Sequence, residues 1–241
     1  MASKFSSGVI NNLVSLIEED IHDGCGLDLS ISELSCISGY SIWHLQRTFR
    51  MNVGVSLGRY IRNRRLSHAA TLIKLSNNKL LDISISTGFN SPQAFCRAFL
   101  RQFGVTPSFY KRECTWDFSF HLPAFINNDT FFFSYQKITL SKSQLLLSDS
   151  SSLMKVAYPT LDTASMKMKM IFIDGSFELQ SGDYILIQLD LSKKNKSESE
   201  FLRYLYMHLL PFHQEKIRWT FVFRTQSRES NLLLEYLIPI S

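Results

Sequence analysis

FRMNVGVSLGRYIR (residues 49–62) returns fifty residues later as FLRQFGVTPSFYKR (residues 99–112), with Phe49/Phe99, Gly54/Gly104, Val55/Val105, Tyr60/Tyr110 and Arg62/Arg112 in register. Upstream, GYS at 39–41 is echoed by GFN at 88–90, one residue out of step. One unit is used twice. Each copy reads as helix, glycine turn, helix. In the first, Ser30 and Glu33 form a capping-box pattern that opens a helix through Leu34 and Ile37, Gly39 ends it, and Ser41 caps the next. In the second, a helix around Leu81, Ile83 and Ile85 ends at Gly88, and Ser91 with Pro92 opens its partner. These are helix-turn-helix units. The small Ser35 and Ser84 suit close packing of the paired helices. Between the copies, residues 57–76 have the pattern of one helix, about 30 Å long at ~1.5 Å per residue, close to the ~34 Å between successive major grooves on one face of DNA.

The second helix of the first copy carries an unusual face. Trp43, Gln46, Arg47 and Arg50 follow the i, i+3, i+4, i+7 spacing of one helical stripe, while Leu45 and Phe49 point away. An ordinary solvated face mixes Lys with Glu. This one has no acid and joins a flat aromatic to planar hydrogen-bonding forks, which is what reading base edges requires. In the second copy Phe95 and Phe99 keep the inner face apolar.

Charge supports the same partner. The net charge is +5, and residues 1–113 hold all of the excess, with 13 Lys+Arg against 8 Asp+Glu, while residues 114–241 balance 13 against 13. Within the first half the basic residues concentrate after position 46, and such a field implies a polyanion. No apolar run approaches a membrane span, and the N-terminal stretch lacks the order of a signal peptide, so a cytoplasmic protein without membrane contact is expected. Cys25, Cys36, Cys96 and Cys114 form no C-x-x-C pair, and the six histidines lack ligand spacing, so reduced thiols, no metal and no cofactor are expected.

After residue 113 the texture changes to short aromatic and branched runs, TFFFSYQKITL, MIFIDGSFELQ, YILIQLDL, WTFVFRTQ and LLLEYLIPI, which read as strands. One helix stands among them, capped by Ser197 with Glu200, with Phe201, Leu205 and Leu209 on one face and Pro211 expected beyond its end. Serine-rich residues 140–159 read as a long loop or a partly disordered segment. The chain is therefore expected to be multidomain, with an all-α domain at 1–113 carrying two helix-turn-helix units on a long helix and an α+β domain at 114–241 on an antiparallel sheet.

Residues 8–113 resemble the AraC/XylS transcription regulators, and GYSIWHLQRTF, YIRNRRL and GFNSPQAFCRAF are most similar to the MarA/SoxS/Rob branch. The resemblance implies that the two second helices enter adjacent major-groove segments of one asymmetric site. Base contacts would then fall on Trp43, Gln46 and Arg47, and on Gln93, Cys96 and Arg97. Phosphate contacts would fall on His44, Arg50, Arg62 and Arg65. Two positions depart from the branch. Ile42 stands where a Lys is common, and Pro92 where a Gln that reaches DNA is common, so the second reading head is expected to be less selective.

LQSGDY and LLLEYLIPI resemble the GyrI-like effector-binding domain, and TWDFSFHLP resembles the junction before it in Rob-like chains. That implies Glu235 in a ligand pocket, with Trp219 and Tyr184 as aromatic walls. Together these expectations describe a non-enzymatic activator that binds double-stranded DNA as a monomer and touches RNA polymerase, with a small-molecule or protein effector on the second domain. A docking or inhibitory second domain without ligand sensing is the alternative. A DNA repair enzyme would need a reactive cysteine beside a histidine, and no cysteine follows Cys114. The 1–113 fragment is expected to fold and bind DNA alone.

Overall fold

The computed structural model describes residues 4–23, 29–113, 115–125, 131, 133–140, 154–162, 167–173, 182–190, 197–217, 220–226 and 232–240. The chain divides into two compact units. The first comprises residues 1–112 together with 120–127 and 206–213, so it takes in two later segments that a linear division at 113 leaves out. No helix among the described residues is long and apolar enough to cross a membrane.

The first unit is helical. Helix α1 (Lys4–Asp23) places Ile10, Leu13, Val14, Ile17 and Ile21 on one stripe, and these pack with Leu34, Leu45, Phe49, Leu57 and Tyr60 as a single buried cluster. Then come α2 (Ile31–Ser38) and α3 (Ile42–Val53), the first helix-turn-helix. The Ser30/Glu33 capping box forms as expected, Gly39 closes α2 at φ 69°, and the Ser41 hydroxyl accepts from the His44 amide. Helix α4 (Leu57–Leu75) is the linker. Helices α5 (Leu80–Ser86) and α6 (Pro92–Phe103) form the second copy, with Pro92 in the first turn of α6, where its missing N–H costs nothing, and α7 (Pro107–Arg112) follows.

The second copy has a different core. Phe95, Phe99 and Phe103 are buried along α6 in a continuous run of ring contacts that extends to Phe89, Tyr110 and His121, the closest being Phe99–Phe103 at 4.4 Å. Each buried Phe contributes roughly 1.5–3 kcal/mol.

In the second unit, β1 (Trp116–Asp117) pairs with β6 (Lys216–Ile217). Strands β2 (Phe133–Leu140), β3 (Met154–Asp162), β4 (Lys167–Ile173), β5 (Gly182–Asp190), β7 (Thr220–Gln226) and β8 (Leu232–Pro239) form a six-stranded antiparallel sheet in the order β2-β5-β8-β7-β3-β4. Helix α8 (Glu198–Tyr204), opened by the expected Ser197/Glu200 box, covers one face by setting Phe201 against Phe133 and Tyr236.

Two expectations need correction. Residues 154–159 are not loop but the start of β3, which pairs with β4 over 156–162, Pro159 opposite Met170, and with β7 over 154–157. The serine-rich stretch 141–153 lies outside the described residues. Pro211 does not lie beyond the helix end, because the backbone continues from α8 through a π-helical segment, Leu205–Leu209, into a last turn, Leu210–His213. Pro211 stands within that continuous helical run, just after the π-helical segment.

Candidate nucleic-acid interface

On α3 the inner face is closed by Leu45 and Phe49, both fully buried, and the outer face is open. Trp43 is 68% exposed, and Gln46, Arg47 and Arg50 are also exposed. The Arg47 guanidinium lies 5.3 Å from the Trp43 ring centroid, a cation–π contact that holds both flat groups on one side of the helix. His44 sits edge-on to Tyr40 at 4.6 Å, beside the Ser41 cap. On α6 the exposed positions are Gln93, Cys96 and Arg97, one stripe opposite the buried phenylalanines. Cys36 and Cys96 are free thiols on helix surfaces, while Cys25 and Cys114 lie outside the described residues. The six residues expected to read bases are thus exposed on two helices whose apolar sides are anchored.

The arginines of α4 have three different surroundings. Successive residues step ~100° around a helix, so Arg62, Arg64 and Arg65 leave it in different directions. Arg62 is exposed. Arg65 is mostly covered, lies 3.6 Å from the Asp20 carboxylate, and packs on the turn at Gly88, where an added Cβ would fall 2.8 Å from its Nη1. Arg64 is buried, a role the sequence reading missed. Its Nε donates to Glu18 Oε1 at 2.8 Å, its Nη2 to Glu18 Oε2 at 2.6 Å and its Nη1 to the Leu122 carbonyl at 2.7 Å. Tyr60 donates to Glu18 Oε1 at 2.7 Å and accepts from the Phe125 amide at 3.1 Å. Burial pushes the Glu18 carboxyl up, but the Arg64 charge and the hydrogen bonds from Arg64 and Tyr60 outweigh it and hold Glu18 below the ordinary carboxylate range. Burial likewise opposes the Arg64 charge, and Glu18 more than restores it. The available signal was weak: Glu18 lies on the buried stripe of α1, one residue after Ile17.

The residues 120–125 and 206–213 complete this unit. Gln102 Nε2 donates to the Phe120 carbonyl at 3.1 Å, Tyr110 and His121 share a hydrogen bond of 3.0 Å, and the Ala124 amide donates to the Met207 carbonyl at 3.3 Å. His208 hydrogen-bonds the Ala124 carbonyl through Nδ1. Burial lowers the His208 pKa, with the Arg64 charge adding to the effect.

Of the residues expected in a ligand pocket, Tyr184 is buried on β5 in an apolar cluster with Leu237, Ile138, Leu140 and Leu186. Glu235 occupies β8 opposite Gln188 of β5 and Phe223 of β7, and Tyr184 pairs farther along with Pro239. Trp219 lies outside the described residues.

A family model described as a helix-turn-helix domain matches residues 34–113. The chain is 39% identical over 110 residues to the transcriptional regulator Rob of Salmonella typhimurium, covering 46% of this chain and 37% of that protein. It is 37% identical over 113 residues to the transcriptional activator AarP of Providencia stuartii, covering 47% of this chain and 81% of AarP. It is 40% identical over 105 residues to the regulatory protein SoxS of Escherichia coli, covering 44% of this chain and 94% of SoxS. Among solved structures, the DNA-binding domain of AdpA in complex with a target DNA aligns at 24% identity and a TM-score of 0.40, covering 42% of this chain and 88% of that one. The chain thus spans nearly the whole of SoxS but little more than a third of Rob. It belongs to the AraC/XylS family of helix-turn-helix transcription regulators, in the branch that holds SoxS and Rob.

Proposed function

We propose that this chain is a sequence-specific transcription activator that binds double-stranded DNA as a monomer on one asymmetric site. The observation that carries the reading is the pair of exposed, acid-free faces on α3 and α6, each backed by a buried apolar stripe and both joined by one linker helix. Trp43, Gln46 and Arg47 read bases in one major-groove segment, and Gln93, Cys96 and Arg97 in the next. His44, Arg50 and Arg62 hold phosphates. Arg65, paired with Asp20 and packed on Gly88, acts as a brace between α4 and the second turn.

The second unit serves as a GyrI-like regulatory domain that takes a small effector, with Glu235 supplying charge and Trp219 and Tyr184 apolar walls. Contact with RNA polymerase turns occupancy into activation, in a cytoplasmic setting. Genomic footprinting of the full chain tests the first half of this reading. A short asymmetric footprint, lost on Arg47→Ala substitution, supports it, and uniform protection across unrelated DNA overturns it. A ligand screen on the full chain tests the second half: an effector whose binding is abolished by Glu235→Gln supports a sensor, and binding unaffected by that change removes Glu235 from the site.

A further inference from the structure

An open groove of about 430 Å³ runs between α4 and α6. Arg59 and Arg62 stand on its α4 wall, Arg101 and Gln102 on its α6 wall, and Leu66 and Ala98 also line it. No carboxylate is among its lining residues. All three arginines are exposed. The walls are tied together, since Gln102 Nε2 donates to the Asn63 carbonyl at 3.3 Å and to Ser67 Oγ at 3.2 Å. Arg101 lies four residues after Arg97, so the groove continues the exposed stripe of the second reading helix. On α4 it begins at Arg59, three residues before Arg62.

Three guanidinium groups around one fixed groove repel one another unless an anion lies among them. Their planar forks match phosphate oxygens in bidentate fashion, and their spread along an open groove suits successive phosphates of a strand better than one enclosed ion. Leu66 and Ala98 offer apolar contact suited to a deoxyribose. We propose that this groove grips the sugar-phosphate backbone of DNA where the strand passes between the two major-groove segments, with Arg59 and Arg101 as its phosphate contacts. This rests on the DNA-binding reading above and adds a sequence-independent hold beside the second reading head.

The test is the salt dependence of full-chain binding to its selected site. Removing one phosphate-binding charge should lower the slope of log K against log salt by about 0.9, so Arg59→Gln and Arg101→Gln should each flatten it by about that much and the double variant by about twice as much. Base preference in a randomised-site selection should stay unchanged. The Arg59→Lys, Arg101→Lys protein keeps the charge, so its slope should stay near the wild-type value. An unchanged slope in a folded double Gln variant overturns the proposal while leaving site-specific binding intact. Absence of any site-specific binding by the wild type defeats the underlying reading and this one together. Inorganic tripolyphosphate supplies the remaining arm: if it raises the melting temperature of wild type but not of the double Gln variant, and both share one DNA salt slope, the groove takes free phosphates and the DNA assignment is wrong.

Discussion

The two helix-turn-helix copies share a backbone frame but differ in how they are held and in what they present. Gly39 and Gly88 both turn the chain at positive φ, and Ser41 and Ser91 both cap the following helix. The first copy leans on α1 through a mainly aliphatic cluster that also holds Phe49 and Tyr60, and has the buried Glu18–Arg64–Tyr60 network between α1 and α4 beside it. The second leans on a run of aromatic rings, and a strap, residues 120–125, reaches Gln102 and Tyr110 of this copy as well as Arg64 and Tyr60. Outward, α3 shows a Trp, a Gln and two Arg, while α6 shows one Gln, a thiol and one Arg on its exposed stripe and has a proline in its first turn. A repeated frame therefore fixes where the exposed side chains stand, and the residues placed on it differ between the copies.

The largest expected effect tests the support of the first copy. Arg64→Ala leaves the Glu18 carboxylate buried without its partner and should cost about 3–5 kcal/mol in urea unfolding. Gln102→Ala, which removes the neutral tie of the second copy, should cost about 1 kcal/mol. Equal losses would show that the two copies are braced alike. Because Glu18 is held below its ordinary pKa, its share of stability is full above about pH 4.3 and is lost as pH falls through the lower folded value. Glu18→Gln should accordingly make the acid limb of the stability curve shallower.

Next in size is the strap. A fragment of residues 1–113 lacks the Leu122 carbonyl that accepts from Arg64, the Phe125 amide that donates to Tyr60, and His121. Compared with residues 1–127 it should be less stable by about 1.5–3 kcal/mol, the worth of a hydrogen bond to a charged group. Matching melting curves for the two fragments would remove the strap from the fold of this unit.

Arg47→Ala should weaken binding to the cognate site by about 1–3 kcal/mol and leave non-specific binding nearly unchanged, whereas Arg50→Ala should weaken both alike. Gel-shift titration against specific and random duplexes separates them, and parallel losses for Arg47→Ala would make it a phosphate contact. A smaller contrast lies in the turns. Gly39→Ala meets nothing within 4 Å and bears only the strain of φ 69°, roughly 1–2 kcal/mol. Gly88→Ala bears that strain and also displaces Arg65, so it should be the more destabilising of the two in thermal unfolding.

Much of this frame was legible in the sequence because it rests on local rules. The serine caps, the capping boxes, the closing glycines and the apolar spacing of Phe95 and Phe99 act within a few residues of where they stand. What could not be read depends on partners far along the chain. Arg64 looks like one more basic residue in YIRNRRL until Glu18, 46 positions away, is brought against it. The strap has no periodicity, because its bonds run through single carbonyl and amide groups such as those of Leu122 and Phe125. In the second unit Glu235 is expected in a pocket from resemblance, and Trp219 and Tyr184 join it only as aromatic side chains suited to a wall. Tyr184 proves to be a packed residue of β5, four residues from the one that pairs with Glu235.

Whether the two helix-turn-helix copies read DNA unequally is tested most directly by a randomised-site selection on the full chain and on Pro92→Gln protein. The expected result is one asymmetric site with strong base preference in the segment facing α3 and weaker preference in the segment facing α6, and Gln at position 92 should sharpen the weaker segment alone. Equal preference in both segments of the wild-type site, or a Pro92→Gln profile identical to it, would show that the two copies read alike or that position 92 has no part in the difference.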